Sequence, residues 1–174
     1  RQRMATMLST ELELPGSFSR STIRIAADID NALLDDFCRL MALRFGDAIP
    51  IEASWNWGDM FNLGLALENA LLVSGVRGLT HKQVHINDQG LGFLMAGKDA
   101  LALRGPPHGL VRLPVWMITP IGQQICRLRP GPAGNDALRR IAMLLDKKDL
   151  ETIHLGQVID DGERVALGEQ LWPL

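Results

Sequence analysis

The chain has 174 residues, 47% of them hydrophobic, with 18 Lys and Arg against 20 Asp and Glu and a formal net charge of -2. That length and apolar content suffice to bury a core in one domain or two closely packed subdomains, which excludes disorder as the default. The near-neutral balance creates no overall basic field towards nucleic acid or an acidic membrane surface, so such binding requires a local patch.

The chain opens on Arg1 inside a helical pattern, Met4, Met7, Leu8 and Leu12, that Pro15-Gly16 stops. A helix that begins without a cap is read as part of a fragment of a longer protein. Ser17-Phe18-Ser19 offers N-cap hydroxyls for a short helix carrying Ile23, Ile25, Ala26 and Ala27. Asp30 or Asn31 then caps a stronger helix, with Leu33, Leu34, Phe37, Leu40, Met41 and Phe45 at helical spacing and Gly46 as its stop. A short extended run over 49–53 leads to a long helix over about 58–74, closed by Gly75. Its residues are apolar nearly all round, so it is expected to be the buried central helix.

After Gly75 the period changes to two: Val84-x-Ile86, then 92–95, a turn at Ala96-Gly97-Lys98-Asp99, then 100–103 and 111–118. These predict a small antiparallel sheet. Thr119-Pro120 is an N-cap with proline at N1, so a short helix over 121–128 is expected. The Pro/Gly-rich stretch 130–134 predicts a loop and subdomain hinge. Asn135 caps a last helix with Leu138, Ile141, Ala142 and Leu145 inward, and two closing strands flank Asp160-Asp161-Gly162 as a hairpin. The fold class expected is α+β.

No run of about 18 apolar residues spans a bilayer, and the start lacks a basic-then-apolar signal pattern. No membrane partner is expected, and the expected location is cytoplasmic. Cys38 and Cys126, both in apolar helical patterns, read as small buried thiols, with a disulfide as the alternative.

The order of helix, core helix, hairpin and Ile118-Thr119-Pro120-Ile121-Gly122-Gln123-Gln124-Ile125 resembles a winged-helix domain, in which a Leu-Thr-x-x-Gly-x-x-Leu segment opens the helix after the wing. The stretch Met4-Ala5-Thr6-Met7-Leu8-Ser9-Thr10-Glu11 with Pro15-Gly16-Ser17-Phe18-Ser19-Arg20-Ser21-Thr22 is similar to a bacterial family of unknown function, numbered 2806 among such domains. The resemblance implies a bacterial origin, a winged-helix-like architecture and a link to phage defence, and carries no activity or site. The organisation expected is an N-terminal helical segment (1–29), a winged-helix-like domain (30–129) and a helix-plus-hairpin extension (135–174).

No catalytic, cofactor or metal site is predicted. Gly92-Phe93-Leu94-Met95-Ala96-Gly97-Lys98-Asp99 matches the phosphate-loop spacing until its last position, where Asp99 replaces the hydroxyl that would hold magnesium. A strand follows instead of a helix N-terminus, so a hairpin turn is expected. His81 and His85 lack a third ligand and would not converge on a strand. Asp35-Asp36 and Asp160-Asp161 read as a solvated helix face and a turn.

The helix that would read DNA lies within 51–76, a stretch with Glu52, Asp59 and Glu68 but no Lys or Arg, whereas phosphate neutralisation dominates DNA affinity. A later basic set is the candidate for phosphate contacts: Arg127 and Arg129, then Arg139, Arg140, Lys147 and Lys148 on the last helix. Trp55 and Trp57, followed by Met60 and Phe61, read first as core packing and, where exposed, as a candidate partner surface. The function expected is a non-catalytic interaction or assembly module of a larger bacterial protein, with a protein partner or self-association. The alternative is a DNA-binding winged-helix regulator.

Overall fold

The computed structural model describes residues 2–52, 55–78, 80–127, 135–159 and 164–173. Helix α1 (Gln2–Glu13) ends before Pro15, where the Glu11 carboxylate accepts the N–H groups of Gly16 (2.6 Å) and Phe18 (3.1 Å). Ser19 caps α2 (Arg20–Asp28) by accepting the Thr22 N–H at 3.0 Å. Asp30 caps α3 (Asn31–Met41) through Ala32 and Leu33 at 2.7 and 3.3 Å. In both, a short polar side chain satisfies helix donors that have no partner within the helix.

Helix α3 ends well before the expected stop at Gly46. Phe45 instead exchanges backbone hydrogen bonds with Ala48 (2.9 and 3.0 Å) around Gly46, whose φ of 55° makes the turn. The reason lies in packing: Phe45 is only 2% exposed but belongs to a different core from Phe37 and Leu40, so the chain must leave the helix to deliver it. Strand β1 (Ala48–Pro50) follows, an edge position that tolerates the missing N–H of Pro50.

Helix α4 runs Trp57–Asn69, also shorter than expected. Leu71 takes a left-handed φ of 59°; the Leu72 N–H reaches the Leu67 carbonyl at 2.9 Å and the Leu71 N–H reaches Glu68 at 3.0 Å. This bonding pattern is a Schellman motif with leucine in the place usually held by glycine. It frees Val73–Ser74 to form β2 before Gly75. The expectation of a central, wholly buried helix is also corrected: only Gly64 and Leu67 of α4 are buried, while Trp57 and Phe61 are 48% and 40% exposed.

Strands β3 (Thr80–His85), β4 (Leu91–Ala96), β5 (Asp99–Arg104) and β6 (Leu110–Ile118) come next, then α5 (Pro120–Cys126), α6 (Asn135–Leu144), β7 (Thr152–Ile159) and β8 (Arg164–Trp172). The chain is therefore α+β. Among the described residues it has six helices and two four-stranded antiparallel sheets, where the sequence suggested one small sheet and a separate closing hairpin. In the first, Met117 pairs with both Ala48 and Ser74, and Val115 with both Pro50 and Thr80. Strand β6 is thus central, with β1 along one side and β2 and β3 in succession along the other. The second sheet has the order β4-β5-β7-β8. Residues 135–174 supply two of its strands, so the middle and C-terminal segments share one sheet.

Side chains of β6 alternate between two cores. Trp116 and Ile118 join Met7, Phe37, Leu67 and Ile125 among the helices α1 to α5. Leu113 and Val115 join Leu101, Leu103, Leu138 and Ile141, where α6 packs on the second sheet. Among the described residues, no helix is long and apolar enough to cross a membrane.

Helix α5 is fastened at both faces. Its Thr119 cap accepts the Gly122 N–H at 3.0 Å, and Gln124 accepts the Ser19 N–H at 3.0 Å. Gly122 faces the chain at Leu72 so closely that a Cβ would lie 2.2 Å from the Leu72 carbonyl oxygen. Backbone cannot yield as a side-chain tip does. Gly122→Ala is accordingly expected to destabilise by about 2–3 kcal/mol or more, as overpacked core substitutions do. A lowered urea midpoint at unchanged m-value reads this out; an unaltered midpoint would show that the contact relaxes freely.

Candidate functional site

The four aromatic and apolar side chains singled out in the sequence divide between core and surface. Trp55 is half-buried and tilts against Trp116, with ring centroids 5.7 Å apart and planes at 49°. Met60 is likewise half-buried against the helical core. Trp57 and Phe61, one helical turn apart on α4, remain about half exposed, and Leu65 continues the same flank. The charges near them are largely engaged elsewhere. Glu68 faces Arg77 at 3.5 Å and accepts the Val76 N–H at 3.1 Å, Glu52 lies 3.7 Å from Arg140, and Asp59 accepts from Asn56 at 2.8 Å.

The basic set does not form one patch. Arg139 makes a bidentate pair with Glu169, with one arm at 2.9 Å. The guanidinium hydrogen bonds hold the Glu169 carboxyl below its ordinary value and raise Arg139. Arg140 is turned to Glu52. Lys147 and Lys148 lie beyond α6, not on it, because the helix ends at Leu144; the Lys148 N–H donates to Asp146 at 3.1 Å. Arg129, the 130–134 loop and the Asp160-Asp161-Gly162 turn lie outside the described residues.

Arg127 has a different setting. It stands at the C-cap of α5 and lines a cleft of about 640 Å³ with Arg44, Lys98, Asp99, Gln123 and Cys126. Arg44 comes from the turn after α3, and Lys98 from the tip of the β4–β5 hairpin. Gly97, at φ 66°, occupies the first loop position of that hairpin, and the Lys98 carbonyl accepts the Val158 N–H at 2.8 Å, tying the tip to β7. Asp99 shares the core face of β5 with Leu101 and Leu103 and is 8% exposed. The phosphate-loop look-alike is thus a hairpin turn, as expected, yet its lysine and aspartate both face a cleft. Sequence reasoning missed this set because Arg44, Lys98 and Arg127 belong to three separate elements. Arg127 was already a candidate for phosphate contacts, while Arg44 and Lys98 each carried only the signal of a lone basic residue in a turn.

His81 and His85 are exposed on β3, and among the described residues no three metal-binding side chains come together. Asp36 pairs with Arg39 at 3.3 Å on the solvated side of α3. Comparison with protein-family models, with curated proteins and with solved structures gave no match.

The two cysteines carry no disulfide; Cys126 is buried and Cys38 half-buried. Burial pushes the Cys126 thiol up to about 11, against the pull of the adjacent Arg44 guanidinium. At about pH 8 only about one molecule in a thousand then carries the thiolate, the reactive form. Iodoacetamide should therefore modify Cys126 in the native protein at least about tenfold more slowly than in urea, where the thiol regains its ordinary acidity. Peptide mass spectrometry over a time course follows this; equal rates would mean that the thiol is neither buried nor suppressed.

Proposed function

We propose that this chain is a non-catalytic assembly module that pairs with a second copy of itself through the outer flank of α4. The observation that carries the reading is the half exposure of Trp57 and Phe61 on consecutive turns of one helix. Large aromatics in that position leave an apolar surface that favours burial by a partner. A second copy fits the charge pattern: no Lys or Arg lies in 51–76, and Glu52 and Glu68 have cationic neighbours within the chain. Asp59 is the charge that remains on this flank. An isologous two-fold contact therefore brings together two nearly neutral aromatic surfaces, and two-fold dimers are the commonest closed assembly.

We also read the first sheet and its helices as winged-helix-like and of the bacterial family that the sequence resembles. Support comes from the element order α3, β1, α4, then β3 and β6, with the β4–β5 hairpin inserted between the last two. The regulator alternative is less well supported. Helix α4 brings no cation to phosphate, and Arg139 and Arg140 are held by Glu169 and Glu52.

Sedimentation equilibrium tests the pairing. The protein is expected to dimerise reversibly, and Trp57→Ala with Phe61→Ala should weaken dimerisation by about thirtyfold or more, the scale of losing central interface aromatics. Both side chains are half exposed, so unchanged near-ultraviolet circular dichroism from the buried Trp116 checks that the fold survives. A wild-type protein that stays monomeric at about 1 mM, or a dimer indifferent to both substitutions, would exclude the proposal.

A further inference from the structure

The cleft beside α5 has a chemistry independent of α4. Three cations enter it from three elements: Arg44 from the turn after α3, Lys98 from the hairpin tip and Arg127 from the end of α5. Among the described residues none of the three has a carboxylate within 4 Å; Arg20, Arg24, Arg112, Lys147 and Lys148 likewise have none, but Arg44, Lys98 and Arg127 share one cleft. Arg44 lines the cleft beside Cys126.

Asp99 adds the second observation. Asp99 is 8% exposed, lines the same cleft, has no hydrogen bond or ion pair among the described residues, and keeps its carboxylate oxygens open to solvent. A carboxylate open at the wall of a cleft can accept a hydrogen bond from a ligand hydroxyl. The surplus of cations over this one acid is two charges, the charge of an ionised phosphate monoester. Three separated cations also suit three terminal phosphate oxygens better than the two of a carboxylate. The volume of about 640 Å³ lies in the range of small-molecule sites.

We propose that this cleft binds a small organic phosphate carrying a hydroxyl group. Arg44, Lys98 and Arg127 take the phosphate, and the hydroxyl donates to Asp99. This is not phosphate-loop chemistry, because strand β5 follows Lys98 and, among the described residues, no helix N-terminus lines the cleft. The hairpin supplies a lysine for the phosphate and, one residue on, an acceptor for the hydroxyl. The Gly97 turn and the Val158 bond fix both.

Titration of the full chain with glycerol 3-phosphate, inorganic phosphate, glycerol and a short single-stranded oligonucleotide, followed by amide NMR shifts and calorimetry, tests this. Glycerol 3-phosphate is expected to saturate, shifting amides at 96–99 and 123–127, and to bind about tenfold tighter than inorganic phosphate, while glycerol gives no shift. Lys98→Ala with Arg127→Ala, both at exposed positions, should weaken glycerol 3-phosphate by about tenfold or more. Asp99→Asn should leave inorganic phosphate bound at least as well and reduce the preference for the hydroxylated ester, since the amide oxygen is a weaker, uncharged acceptor. If Asp99→Asn fails to fold, the double variant and the glycerol comparison still decide. No saturable shift, shifts away from the cleft, indifference to the double variant, or binding of the oligonucleotide without the monoester would each overturn the proposal.

Discussion

The alternation of strand β6 is the constraint on which the rest of the molecule depends. Trp116 and Ile118 face the helices, Leu113 and Val115 face the second sheet, and the strand is paired on both sides. Slipping its register by one residue would exchange these sets. Trp116, 1% exposed, would then lie among the side chains of α6, and the close approach of Gly64 to its ring, 2.7 Å from a notional Cβ, would have no counterpart. Burying large side chains on both faces of one strand fixes that register more firmly than hydrogen bonds alone, since each such side chain contributes about 1.5–3 kcal/mol on burial.

Two consequences follow for the helices. Helix α3 must release the chain early enough to carry Phe45 to the other side of β1. Helix α4 must end early enough for Val73 and Ser74 to pair with Ile118 and Met117. The second demand is met by Leu71 in a left-handed conformation, which costs a non-glycine residue about 1–2 kcal/mol. The Leu72 carbonyl then accepts the Thr119 N–H at 3.0 Å, and α5 closes over it through Gly122. Core formation on β6 thus determines where the helices stop, against the local signals.

Features set by local chemistry were legible in the sequence: the caps at Ser19, Asp30 and Thr119, the Pro15-Gly16 break, the period-two strands and the Gly97 hairpin. The ends of α3 and α4 were not, because glycine punctuation at 46 and 75 competed with pairing partners distant in the chain. The pairing of β5 with β7 was equally hidden, since strands joined across a helix and a Pro/Gly stretch carry no mark of their neighbour. For the aromatics, the type of residue was informative but its fate was not. Trp55 packs on Trp116 while Trp57 faces outward, and only the start of α4 between them decides this.

The same distinction governs the basic residues. Arg139 and Arg140 look in sequence like an exposed cationic patch, yet Glu169 and Glu52, both far away in the chain, neutralise them. Arg44 and Lys98 look unremarkable in sequence, each a basic residue in a turn, yet folding brings them to one cleft with Arg127, none of the three in an ion pair among the described residues. For an ion-binding surface, the relevant quantity is charge that remains after internal pairing, and pairing is a tertiary property. Counting Lys and Arg along α6 therefore overstates its capacity to hold phosphate. The seam between the α5 helix and the β4–β5 hairpin gathers three of the cations that have no ion pair among the described residues, with Asp99 on the same cleft wall.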